Sequence, residues 1–174
     1  MDTVIVSIIC IVLVVFGGMT MAQGFFSSVD SSTMGWDTME ARDTAMMRTG
    51  LAAVSTTMPT ASRLEFTLRN DGQTKLGDFA DWDVIVQYYD DRDEYYVNWL
   101  PYTSDTPGSD QWTVKGIYQN AGSATAEVFE TGILNPGEEI IIWVELDPAV
   151  GTGTTNLVVV STSNGVSAST TFAG

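Results

Sequence analysis

The chain contains no histidine. Mechanisms that need an imidazole base, nucleophile partner or zinc ligand are thereby excluded, among them Ser-His-Asp and Cys-His catalysis. The single cysteine, Cys10, cannot form an internal disulfide, and inside an apolar run a thiol behaves as a small hydrophobe. Basic residues are scarce. Seven Lys and Arg stand against 22 Asp and Glu, a formal net charge of -15, which repels polyanions and makes nucleic acid a poor partner. None of Asn70, Asn98, Asn120, Asn135, Asn156 and Asn164 has Ser or Thr two residues later, so the chain has no N-x-S/T acceptor for glycosylation.

Charge is absent altogether from residues 3–29, which include "IVSIICIVLVVFGGMTMAQGFF". A secretory signal begins with a positive region, whereas here Asp2 comes first and no Lys or Arg precedes Arg42, so a cleaved signal is not expected. As a helix, this stretch would measure about 40 Å, enough to cross a bilayer. The basic flanks that orient a permanent anchor are missing. Beyond the run, Phe25, Phe26, Val29, Met39, Met46, Met47, Leu51, Val54 and Met58 recur mostly at spacings of three, four and seven, with Asp37, Glu40, Arg42, Asp43 and Arg48 between them. This pattern predicts a helix over about residues 3–57, apolar on all sides first and on one side later. Near residues 30–35 short polar side chains compete for the backbone and could break, re-cap or kink the helix, and Pro59 is read as the stop.

The remainder alternates strand-length runs with turn chemistry: "RLEFTLRNDGQ", "WDVIVQYYDDRDEYYVNWLPY", "QWTVKGIYQNAG", "AEVFETGILNPGEEIIIWVELDP" and "NLVVVSTSNGVSASTTF". About eight strands are expected. Asn164-Gly165 suits a type I′ hairpin, Asp71-Gly72 another turn, and Pro136-Gly137 a type II turn. The predicted fold class is α+β: a long N-terminal apolar helix, residues 1–58, followed by an antiparallel immunoglobulin-like β-sandwich, residues 59–174. A helix of about 55 residues is roughly 80 Å long, several times the roughly 13 Å radius of gyration of a domain this size, so the domain cannot cover it. Lipid or the same helix from other copies must do so. The expected packing residues are Val4, Ile5, Ile8, Ile9, Val12, Val15, Phe16, Met19, Phe25 and Phe26.

Smaller features have competing readings. Gly17-Gly18 is read as a notch for close helix packing, against the alternative of mere tolerance. Asp90, Asp91, Asp93 and Glu94 could offer oxygens to Ca²⁺, but the stretch lacks the spaced ligands and turn glycine of a known calcium loop, and a solvated hairpin turn is the preferred reading. Tyr88, Tyr89, Tyr95, Tyr96, Trp99 and Tyr102 are read as cross-strand packing rather than a sugar platform. In "EIIIWVEL" and "NLVVV" both alternating sets are apolar, which expects a covered outer face from a central strand or a subunit contact. No catalytic residue, cofactor site or metal site is assigned, and an enzyme is not expected.

The long apolar helix joined to an acidic sandwich, with "LRNDGQTKLGDF", "ILNPGEEIIIWVEL" and "STSNGVSASTTF", resembles archaellins and related archaellum proteins, within the wider class of type IV pilin-like filament proteins. The resemblance implies a homopolymer in which helices form the filament core and sandwiches the outer sheath. It also implies transient membrane insertion, handling by a filament assembly machinery, and a final location at the cell surface. The family's precursors carry a short basic leader cut just before the helix, which is not seen ahead of this one. Either numbering starts after processing or the protein is unprocessed, and the second case points to membrane-anchored archaellum accessory or stator proteins of similar build.

Overall fold

A computed structural model describes residues 2–174, and the side chains of 3–34, 36 and 39–174. The chain divides into two units, one ending at Asp43 and the other running Thr44–Gly174. Helix α1 covers Asp2–Arg48, 47 residues or about 70 Å. The helix is unbroken through residues 30–35. Around residues 30–35 the polar side chains serve the helix instead of breaking it: Ser31 Oγ donates to Ser27 O at 2.9 Å and Thr33 Oγ1 to Val29 O at 2.8 Å.

The helix also stops nine residues before the predicted end, and the expected boundary at residue 58 is therefore corrected. Ala52–Thr60 is the first strand, β1. Leu51, Val54 and Met58 continued the helical spacing by coincidence, whereas the β-branched Val54, Thr56 and Thr57 favour extended backbone. Leu51 and Met58 instead pack on the sandwich core. Pro59 lies in an edge strand, where a missing N–H is tolerated. The actual stop is at Thr49-Gly50. Thr49 donates its N–H to Met46 O and its hydroxyl to Ala45 O, while Arg48 O accepts the N–H of Gln73 at 2.7 Å. Backbones approach so closely here that a Cβ on Gly50 would lie 2.7 Å from Gly72 N, and one on Gly72 2.7 Å from Arg48 O. Both positions thus require glycine.

The further strands among the described residues are β2 Arg63–Arg69, β3 Asp83–Tyr89, β4 Tyr95–Leu100, β5 Gln111–Asn120, β6 Thr125–Ala126, β7 Glu139–Glu145, β8 Thr155–Ser161 and β9 Ser167–Ala173. They form one sheet ordered β1-β2-β7-β5-β6 and another ordered β4-β3-β8-β9. Every strand pairing is antiparallel. Leaving β6 aside, this order is that of an immunoglobulin-like sandwich carrying the extra edge strand of the variable type. The inward residues Leu64, Phe66, Leu68, Val84, Val86, Tyr88, Ile140, Ile142, Val144, Val158 and Val160 join both sheets in one buried cluster. Alternation puts them there, since every second side chain faces the core.

The turns follow the sequence in part. At Asn135-Pro136-Gly137-Glu138, Gly137 has φ +89° and Glu138 N donates to Asn135 O at 3.0 Å, as a type II turn requires. The β8–β9 connection is not type I′. Only Gly165 takes a positive φ, and Thr162 N bonds to Val166 O across three intervening residues, which is a type I turn ending in a glycine bulge. Asp71-Gly72 makes no hairpin either, because β2 pairs next with the distant β7; Asn70 Oδ1 accepts from Gly72 N at 3.1 Å in a side-chain-stabilised turn.

Strands β7 and β8 are both central, which accounts for their doubly apolar pattern. On the outer face of β7, Arg63 lies 4.1 Å above the Trp143 ring and 3.5 Å from Glu145, and Lys115 meets Glu65 at 2.6 Å. Long cationic side chains therefore cover Trp143 and its neighbours from within the domain.

Candidate functional site

Among the described residues, most of the exposed large apolar side chains lie on the helix. Val4, Ile5, Ile8, Ile9, Val12, Val15, Phe16, Met19, Phe25 and Phe26 all lie on α1 and are all exposed. At about 100° per residue, all but Phe25 fall within an arc of about 140°. That arc is not special: Val6, Leu13, Val14 and Met21 occupy the opposite side and are just as exposed. The apolar surface is therefore a full cylinder, and the ten residues chosen from the sequence are one sector of it. Met34 and Trp36 lie on the same helix and are also exposed; Met34 falls outside the three-four-seven spacing, whereas Trp36, seven residues after Val29 and three before Met39, fits it and was overlooked.

Polar groups on this cylinder are neutralised locally. Ser7 Oγ donates to Thr3 O and Thr20 Oγ1 to Gly17 O, each at 2.9 Å, so neither hydroxyl needs water to satisfy its proton. A Cβ built on Gly17, Gly18 or Gly24 would meet nothing within 4 Å. Nothing inside the chain requires glycine at these positions, although each costs about 1 kcal/mol of helix stability relative to alanine. By length and composition α1 can cross a membrane.

Three of the four carboxylates at 90–94 accept hydrogen bonds within the sandwich. Asp90, nearly buried, accepts from Arg92 N at 2.8 Å and Glu94 N at 2.9 Å through Oδ1. Asp91 Oδ1 accepts from Thr152 N, and Glu94 Oε2 from the Tyr96 hydroxyl. Among the described residues no group of three or more His, Cys, Asp or Glu is placed to hold a metal ion. The Tyr96 phenol is held above its usual range, chiefly by that hydrogen bond to Glu94.

The aromatic residues of β3 and β4 pair across the strands. Tyr88 stacks on Tyr96 with ring centroids 5.3 Å apart on the core side, and Tyr89 meets Tyr95 at 5.0 Å on the outer side. Tyr102 contacts Trp112 edge to face at 4.9 Å. Burial pushes the Tyr88 phenol well above its usual range, helped by Asp110, Tyr96, Asp147 and Asp90. On the outer face Tyr95, Val97 and Trp99 remain exposed, an arrangement that packing alone does not account for.

No protein-family model and no curated protein matches this chain. Solved structures do. The archaellum periplasmic stator protein FlaG from Sulfolobus acidocaldarius matches over 71% of this chain and 99% of its own, at 18% identity and a TM-score of 0.50. The complex of the periplasmic stator proteins FlaF and FlaG from the same organism matches over 70% of this chain and 87% of that one, with the same identity and TM-score. The archaeal flagellum of Methanospirillum hungatei strain JF1 matches over 99% of this chain and 90% of its own, at 12% identity and a TM-score of 0.46. At these identities the likeness to the stator structures concerns the fold.

Proposed function

We propose that this chain is a structural component of an archaellum, and within it the repeating subunit of an archaellum-like, type IV pilin-like surface filament that polymerises through α1. The observation that carries this reading is how far exposed apolar side chains run along the helix. Residues 3–29 alone, at about 40 Å, exceed the roughly 30 Å hydrocarbon core of a bilayer. Apolar exposure nevertheless continues past them: Trp36 is 75% and Met47 87% exposed, and Met34 and Met39 are exposed as well. If residues 3–29 lie in lipid, the later residues do not. Neighbouring helices can cover both stretches, because each face of a helix inside a bundle meets a partner.

In that arrangement the helices make the filament core and the sandwiches its outer sheath, used for motility or adhesion at the cell surface. Before assembly the same helix resides in the membrane, from which an assembly machinery withdraws it. A second reading, a membrane-anchored archaellum accessory or stator protein, is supported by the fold likeness to FlaG, an archaellum periplasmic stator protein. Quantitative mass spectrometry of sheared surface filaments and of membranes separates the two. The filament reading expects this chain in bulk in the sheared fraction. Recovery there only in traces, with the chain retained in the membrane, would overturn it in favour of the accessory role.

A further inference from the structure

The four sheet edges of the sandwich are treated unequally. Strand β1 has two register shifts and contains Pro59, β6 is two residues long, and β9 is engaged by β1 through the Thr56 hydroxyl, 3.4 Å from Thr171 O. Each device blunts an edge against pairing with another chain. Strand β4 has none of them. Its six residues, "YYVNWL", contain no charge, proline or glycine, and its register against β3 runs without a shift.

The alternation of an antiparallel ladder fixes which backbone groups of β4 face outward. Asp90 N bonds to Glu94 O, so 90 and 94 form a hydrogen-bonded pair, and 88 with 96, 86 with 98 and 84 with 100 follow. The pairs between are non-hydrogen-bonded. Tyr89, opposite Tyr95, accordingly uses its backbone away from β4, its N–H to Asn156 Oδ1 and its carbonyl to Gly151 N. The backbone groups of Tyr95, Val97 and Trp99 therefore point to the free edge, and none has a hydrogen-bond partner among the described residues. The same three side chains are 53%, 56% and 59% exposed on the outer face. Two are already held in place, Tyr95 by Gln87 at 3.0 Å and Trp99 by Asp83 at 2.8 Å.

We propose that β4 is a pairing edge whose partner is β4 of a second copy, joined antiparallel about a two-fold axis through Val97. In that register Val97 faces Val97, and Tyr95 faces Trp99, in both directions. All three outward residues of each strand fall in hydrogen-bonded pairs, giving six backbone hydrogen bonds and no unused donor. Tyr95 stacks beside the partner's Trp99 on the shared outer face. Pro101, which has no N–H, ends the ladder. Charge selects the same arrangement. The acidic 90–94 turn adjoins Tyr95 at one end of β4, so parallel pairing would place two acidic turns together, and antiparallel pairing puts each beside the partner's uncharged Leu100-Pro101. For a chain of net charge -15, a neutral strand is a suitable surface on which to meet its own copy. The proposal does not depend on the filament reading. A polar filament contains no such two-fold axis, so the pair joins subunits outside a single lattice, in the membrane before polymerisation or as the lasting state of an accessory protein.

The test uses the full chain in detergent micelles with Cys10→Ser, a short bis-maleimide cross-linker, and one new cysteine at a time. Val97→Cys is expected to give a covalent dimer as the main product. Thr171→Cys, exposed on the opposite edge strand of that sheet, is expected to give at least tenfold less. Adding Tyr95→Lys and Trp99→Lys to Val97→Cys is expected to lower its yield at least tenfold with an unchanged circular dichroism spectrum. No dimer from Val97→Cys would overturn the proposal. So would equal yields at the two positions, since association through α1 alone favours neither edge. The filament reading is decided by abundance in sheared filaments, so the two fail separately.

Discussion

Helix and sandwich are about equally rich in large aliphatic side chains and dispose of them in opposite ways. From Val4 to Phe26 each large apolar side chain of α1 is exposed, whereas Leu64, Phe66, Ile140, Ile142, Val158 and Val160 in the sandwich have none of their surface in contact with solvent. The sandwich has two sheets to close over each other. The helix has only its own cylinder, and a cylinder apolar on all sides cannot bury itself. Each large side chain left in water forgoes about 1.5–3 kcal/mol, so over this run the missing cover amounts to far more than the marginal stability of a domain. One region carries its core within it; the other is half of a core that other molecules complete.

The largest break in this comparison is a charge in the helix. Val12→Asp places a carboxylate in a stretch with no Lys or Arg to pair it, and burying it in lipid or in a bundle costs several kcal/mol per copy. On the filament reading, filaments are expected to be absent from cells carrying it, while the sandwich of the purified variant melts at the same temperature as the parent. Normal filaments in electron micrographs would place Val12 in a wet environment and contradict the account. Phe66→Ala tests the other side. A buried aromatic replaced by alanine costs about 3–5 kcal/mol, to be read as a lowered midpoint in urea, whereas Phe16→Ala on the exposed helix should leave that midpoint in place.

A smaller effect is expected at Tyr88. Its hydroxyl is buried and has no hydrogen-bond partner among the described residues. Tyr88→Phe should therefore change stability at pH 7 by about 1 kcal/mol or less. In the folded chain the phenol's pKa is raised, so the stability linked to it is complete below about pH 10, its unfolded value, and lost as pH rises through the folded value. The variant should resist alkaline unfolding better than the parent above pH 10. An identical loss of stability in both would show that this phenol does not control it.

Legibility in the sequence followed the range of the interactions. The strands around Phe66, Ile85, Val97, Val114, Ile142 and Val158 were readable because alternation and β-branching are local, and the type II turn at Pro136-Gly137 because its chemistry lies in two residues. The end of α1 was misread because Leu51, Val54 and Met58 extend a helical spacing, while what stops the helix is the approach of Gly50 to Gly72, a contact across 22 positions that no local pattern encodes. The apolar cylinder was legible as a run without charge and apolar on all sides, although the ten packing residues picked from it lie mostly in one sector. The open edge at β4 was out of reach. Only the order β4-β3-β8-β9, set by long-range pairing, makes Tyr95, Val97 and Trp99 terminal.

The sandwich is complete without the helix, and the helix is not complete without others. A fragment spanning Thr44–Gly174, which retains β1 and the Gly50–Gly72 contact, tests this in one preparation. Circular dichroism and thermal melting in buffer without detergent should give a β-rich, cooperatively unfolding protein, while the full chain stays in solution only with detergent. A fragment that is unfolded at neutral pH, or that itself needs detergent to remain in solution, would contradict the account.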